Sequence, residues 1–262
     1  MISVSGKKWA EKKNNNRIIE KISIDNNFSY DLSKLILNRN YSPNEICELK
    51  HEFQLTNPFF NNKDFLKAKD LLVHIIQKKG LVLVYGDYDV DGVSSTAILV
   101  NFFNYLKNPN YYLIPNRFKD GYGANLDLIK KNLKKNTEIV IFVDCGTNSK
   151  EIINFLKKKK IEVLIIDHHN INHKLEPDLN IINPMKNSKD YLEKNICASA
   201  LTFYLIHLMN DKLKKKVNLY DFLFFALLGT ICDLMPLRHS NKHITKIALN
   251  KFNKIENVGV KQ

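Results

Sequence analysis

Between residues 81 and 183 the chain alternates short β-branched runs with segments of helical period, and three of the runs end directly on acidic clusters. The expected order is strand 81–85, helix 93–106, strand 111–114, helix 126–134, strand 139–143, helix 149–159, strand 162–166 and a short strand near 180–182. Such alternation with short loops predicts an α/β fold, a parallel β-sheet with helices on both faces. Runs such as Ile139-Val140-Ile141-Phe142-Val143 are apolar at every position, as strands covered on both faces require. Before this part, residues 1–80 read as a mostly helical region, with helices at 30–38, 43–48 and 64–78 and Asn/Lys-rich joints. After it, 199–209, 220–231 and 244–252 are helical by period.

The clusters at the strand ends are Gly86-Asp87-Tyr88-Asp89-Val90-Asp91-Gly92, Asp144-Cys145-Gly146 and Asp167-His168-His169, and a fourth, Cys232-Asp233, follows a helical run. In an open α/β sheet, ligands bind at the carboxyl ends of the strands. Carboxylates and imidazoles converging there repel one another or stay unpaired unless a cation neutralises them. The set therefore reads as a two-metal phosphoesterase site. Singly, each cluster has a plainer reading, because an Asp at a strand end commonly caps a helix or makes a turn. Asp-x-Asp-x-Asp-Gly also resembles the start of a calcium loop. That reading fails because residues 93–106 are helical and no Glu stands at the twelfth loop position. An adjacent His pair after a strand is harder to explain by packing, since both rings need polar partners.

Composition narrows the rest. At 262 residues and 44% hydrophobic the chain buries a sizeable core. No apolar run reaches membrane-spanning length, and the N-terminus lacks the apolar core of a secretion signal. Cys47, Cys145, Cys197 and Cys232 form neither a CxxC pair nor a disulfide pattern, so a reducing cytoplasm is expected; Cys145 and Cys232 adjoin acidic residues but read as packing. The net charge of +13 suggests a polyanionic partner. With only four Arg among 40 basic residues, however, the bias is one that an AT-rich genome imposes, and runs such as 157–160 and 212–216 read as solvated helix surface. The retained Arg117, in Pro115-Asn116-Arg117-Phe118-Lys119-Asp120-Gly121-Tyr122-Gly123, is then a position where a planar bidentate donor matters.

Taken in order, DxDxDG, DCG, DHH and a later Asp resemble the DHH phosphoesterase superfamily, and within it the RecJ single-strand-specific DNA exonucleases. The narrower resemblance rests on Val84 to Gly92, on Arg117 with Asp120-Gly121-Tyr122-Gly123, on Asn183-Pro184 and on Cys232-Asp233-Leu234-Met235-Pro236-Leu237. Ser5-Gly6-Lys7-Lys8-Trp9 is similar to the opening of alphaproteobacterial members. RecJ proteins continue into a second α/β domain that closes over the substrate, and usually an OB-fold. Residues 81–262 therefore correspond to the first catalytic domain, with those later parts absent.

The resemblance implies a metal-dependent 5′→3′ exonuclease core acting on single-stranded DNA in repair and recombination, as a monomer, with single-strand-binding proteins or helicases as partners. It assigns Asp144 as the bridging ligand, Asp89 to the first metal, and Asp91, His168 and Asp233 to the second. Related small-molecule phosphoesterases carry a His ligand where this chain has Tyr85, so Asp87 either supplies the missing charge or orients its neighbours. His169 is read as a phosphate contact or proton donor, Asp167 as the group orienting the imidazoles, and Arg117 with Tyr122 as the grip on a terminal 5′ phosphate. The mixed carboxylate–imidazole set favours two Mn²⁺ ions, with Mg²⁺ as substitute. Two other readings stay open: a hydrolase of short oligonucleotides or cyclic dinucleotides, and a DHH module that binds nucleic acid without cutting it.

Overall fold

The computed structural model describes residues 2–8, 10, 12–50, 54–186, 191, 193–213 and 217–252. Trp9 of the N-terminal motif and residues 214–216 of the lysine run lie outside them. Two compact units are present, residues 1–53 and 54–262. The first holds helices α1 (Asn16–Asn26), α2 (Tyr30–Asn38) and α3 (Pro43–Glu48), each opened by a capping side chain: Asn15, Ser29 and Ser42. At α3 the cap is reciprocal, with the Glu45 side chain accepting from the Ser42 amide.

The second unit contains α4 (Lys63–Gln77), β1 (Leu81–Gly86), α5 (Val90–Tyr105), β2 (Asn110–Leu113), α6 (Leu126–Asn132), β3 (Thr137–Val143), α7 (Lys150–Lys158), β4 (Glu162–Ile166), β5 (Asn180–Ile182), α8 (Ala198–Lys212), α9 (Tyr220–Cys232) and α10 (His239–Asn250). The five strands form one parallel sheet in the order β2-β1-β3-β4-β5. The chain leaves β1 toward β2 on one side and later returns to β3 on the other. The loops after β1 and β3 thus diverge, and a crevice opens at the carboxyl edge between them.

Alternation along the strands feeds two layers. Leu83, Tyr85, Val140, Phe142, Val163 and Ile165 pack with Ile129 of α6 and Ile152, Ile153 and Leu156 of α7. Val82, Val84, Ile139 and Ile141 are equally buried and point the other way. That side is covered by α5, which packs on β1 and β2, and by α8, which packs on β3 and β4, with α9 against both helices and α10 against α9. α8 is buried almost all round, whereas α9 buries one face, Phe222, Leu223, Ala226, Leu227 and Thr230. None of the described helices is long and apolar enough to cross a membrane.

α1 is a helix that the sequence reading did not name; it buries only Ile19 and is delimited by caps, Asn15 before it and left-handed Asn27 after it. α5 begins at Val90 rather than 93, because Asp89 is its N-cap. By contact α4 groups with the second unit, packing against α8 and β5.

Candidate metal centre

The acidic loop after β1 divides its labour. Asp87 continues the ladder, its amide donating to Val143 O, while one carboxylate oxygen accepts from the Tyr88 amide at 2.8 Å. Asp89 turns outward and caps α5, accepting from Gly92 N at 2.9 Å. Gly92 is required by contact: a Cβ there would lie 2.5 Å from Asp87 O. Asp91, on the first turn of α5, is buried, and its two oxygens accept from Ala198 N at 2.7 Å and Ser199 N at 2.9 Å, the first amides of α8. α8 has no side-chain cap of its own from Cys197, so Asp91 caps it from another element.

Asp144 follows β3 in the left-handed region, φ 60°, a conformation that short polar residues tolerate. Its backbone turn aims the carboxylate at His168, whose Nε2 lies 3.2 Å from Asp144 Oδ1, 3.5 Å from Asp233 Oδ2 and 3.9 Å from Asp91 Oδ2. Asp167, beyond β4, accepts from the amides of His168 and His169, from His169 Nδ1 at 2.7 Å and from Thr147 N. Asp233 is the C-cap residue of α9 and arrives from the helical layer.

Among the described residues, three sets of ligand atoms fall within 4.8 Å of one another: Asp87, Asp89 and Asp144; Asp144, His168 and His169; and Asp91, His168 and Asp233. The first and third sets are poles joined through Asp144 and His168. One carboxylate oxygen in each of Asp87, Asp144 and Asp233 is buried without a hydrogen-bond partner. Burial, then the charges of Asp91 and Asp89, push the Asp144 carboxyl up to about 11. Burial also raises Asp87 and Asp233. Orphaned buried oxygens on crowded like charges, mixed with imidazole nitrogen, are what divalent first-row cations satisfy, so the residues present fit a metal centre. Asp167 differs. Burial alone would raise it, but hydrogen bonds from His169 and Thr147 prevail and hold it well below the usual carboxylate range. The His169 ring is correspondingly raised, first by its hydrogen bond to Asp167.

Of the phosphate-grip residues, Tyr122 joins the centre, its hydroxyl 2.9 Å from His169 Nε2. Arg117 is exposed and its guanidinium lies over the Tyr88 ring, 5.5 Å from the centroid; Tyr88 in turn meets Tyr122 edge-on at 6.2 Å. A cleft of about 470 Å³ beside these residues is lined by Tyr122, Gly146, Asn148, Ser149, His169 and Asn170 among others. Tyr85 turns away from the acidic sets, its hydroxyl meeting Gly123 O and Asn125 N. Sequence reasoning missed the α8 amides, Thr147 N and the ring of Tyr88. It noted Asn183 only as part of a motif, whereas the buried amide donates to Thr147 Oγ1 and His169 O and so braces the DHH turn. The one signal for the α8 amides was an apolar helix starting without a capping residue of its own.

A carboxylate–imidazole cluster at the switch point of a parallel sheet has the make-up of a candidate divalent-metal centre. The family model described as DHH family, N-terminal domain, matches residues 81–230, and the chain belongs to that family. Among its relatives, the single-stranded-DNA-specific exonuclease RecJ of Haemophilus influenzae is 32% identical over 185 residues, and that of Bacillus subtilis 29% identical over 203. These alignments cover 67% and 78% of this chain but 32% and 25% of the relatives, so the chain spans about a third or less of their length. A crystal structure of exonuclease RecJ bound to manganese is similar with a TM-score of 0.69 and 27% identity, over 76% of this chain and 50% of that one. RecJ of Thermus thermophilus in complex with Mn²⁺ shares the fold, with a TM-score of 0.77 and 22% identity over 95% of this chain and 35% of that one.

Proposed function

We propose that this chain is the catalytic core of a 5′→3′ single-strand-specific DNA exonuclease that works with two divalent cations, Mn²⁺ in preference to Mg²⁺, in the cytoplasm during DNA repair and recombination. The observation that carries the reading is the pair of ligand poles joined through Asp144 and His168, with the Tyr122 loop standing over His169. Cations held there would activate a water and neutralise charge on the phosphate oxygens. Asp87, Asp89 and Asp144 would hold the first and Asp91, His168 and Asp233 the second, with Asp144 beside His168 between them. Asp91 is fixed in advance by the α8 amides, and the reaction requires no reorganisation of that ligand.

Asp167 accepts a hydrogen bond from Nδ1 of His169 and so turns Nε2 toward Tyr122 and the cleft, where the ring serves as phosphate contact or proton donor. Arg117, stacked on Tyr88, is one side chain away from this position and supplies the fork for a terminal 5′ phosphate. Parallel assays of the purified chain with Mn²⁺ on 5′-phosphorylated single strands, duplexes and dinucleotides test the reading. Cleavage of single strands in preference to duplexes is expected. Turnover of dinucleotides alone would replace it with the short-oligonucleotide hydrolase.

A further inference from the structure

We propose that the Tyr85 hydroxyl is the latch of the 115–125 loop, which makes Tyr85 a positioning residue for recognition of the substrate's terminal phosphate; the second half rests on the roles of Arg117 and Tyr122 proposed above. Tyr85 ends the apolar run of β1 and is fully buried, its ring 5.5 Å from that of Phe142 on β3. A phenylalanine would fill the same space. The hydroxyl is therefore the part that needs explaining, because a buried polar group without partners is costly.

Both of its partners lie on the loop: it accepts from Asn125 N at 3.0 Å and donates to Gly123 O at 3.3 Å. From there a chain of bonds runs back along the loop. Asn125 Nδ2 donates to Asp120 O at 2.9 Å, and Asp120 Oδ2 accepts from Asn116 N at 2.7 Å, next to Arg117. Asn125 also caps α6 through its Oδ1. At the outer end, Tyr122 stands between two glycines of positive φ, Gly121 at 81° and Gly123 at 78°. Neither glycine has a neighbour that a Cβ would meet, so they serve the backbone path and not packing. With little packing to hold this stretch, its hydrogen bonds to the sheet set where Tyr122 and Arg117 stand. Tyr85 itself belongs to none of the ligand sets; its partner Gly123 also reaches Asp87 through a backbone hydrogen bond, while Asp87 is separately held by the Tyr88 amide.

The test is Tyr85→Phe in the full chain, read in three ways. Amide exchange at Asn125, which loses its acceptor, should speed up by about tenfold, with smaller increases across 116–125. Mn²⁺ affinity by calorimetry should stay within about twofold, since Asp87 keeps its bonds to the Tyr88 amide and to Val143 O. The preference for 5′-phosphorylated over 5′-hydroxyl single strands should fall by about fivefold to tenfold, through KM and not kcat. Unchanged exchange in the loop would overturn the latch. Faster exchange with the phosphate preference intact, in a preparation where Arg117→Lys loses that preference, would overturn the positioning role. If Arg117→Lys leaves the preference untouched as well, the terminal-phosphate reading has failed, and the exchange rates alone decide whether Tyr85 latches the loop.

Discussion

Gly229 lies on α9 where the start of α8 passes closest, and an alanine there probes the contact on which the second ligand pole depends. A Cβ at this position would stand 2.0 Å from Ser199 Oγ and 2.2 Å from Asp91 Oδ1. In an isolated helix the change would stabilise by about 1 kcal/mol, the usual difference between Gly and Ala. Against this, overpacking costs about 1–3 kcal/mol. Displacing Asp91 from the α8 amides forfeits at least one charge-assisted hydrogen bond, about 1.5–3 kcal/mol. The balance is a loss of about 2–5 kcal/mol of unfolding free energy. Urea denaturation of the metal-free chain, followed by circular dichroism, measures it, and calorimetric titration with Mn²⁺ should show weaker binding in the same variant. Adding Ser199→Ala removes the shorter contact but leaves the one to Asp91, so it should recover part of the stability and little of the metal affinity. A Gly229→Ala chain as stable as the parent would refute the close seating of α9 on Asp91, and with it the account of Asp91 as the cap of α8.

Asp144→Asn should leave the thermal midpoint of the metal-free chain unchanged or higher, because it relieves crowded charge at a left-handed position that Asn tolerates. The Mn²⁺-induced rise in midpoint should vanish along with hydrolysis, and a midpoint that still climbs with Mn²⁺ would remove Asp144 from the ligand set. Asp233→Asn should lower manganese content measured by atomic absorption; full occupancy would take Asp233 off the list. Arg117→Lys keeps the charge but loses the fork, and should weaken use of 5′-phosphorylated single strands by about 1–3 kcal/mol. Equal losses on 5′-hydroxyl strands in matched kinetics would sink the phosphate grip. Asn183→Ala removes donors to Thr147 and His169 and the acceptor for Met185 N, and should cost about 2–4 kcal/mol in denaturant titrations; a neutral result would mean the DHH turn holds itself.

The strands were the most legible part because burial on both faces leaves an unbroken apolar run, and Glu162–Ile166 and Asn180–Ile182 fall where they were expected. The acidic residues were legible for a related reason: charge is conspicuous directly after such a run. What escaped was anything written in the backbone. The amides of Ala198, Ser199 and Thr147 carry no side-chain signature, yet they fix Asp91 and Asp167. α1 escaped because its limits are set by Asn caps within an Asn-rich stretch, where a cap looks like its surroundings. The packing of α4 against α8 and β5 is likewise something that a one-dimensional reading does not contain.

The bonds from Asp91 to Ala198 and Ser199 join residues 107 and 108 positions apart. At ribosomal rates of about 5–20 residues per second, the acidic loop of a growing chain waits roughly 5–20 s for the helix that will restrain its last carboxylate. All the strand pairings are parallel, so the sheet too closes only through long crossovers, a slow route. A cation meeting the nascent chain finds scattered carboxylates in water, and the paired geometry exists only once Asp233 has come down onto His168. The complete ligand set therefore exists only after the two halves of this unit have met.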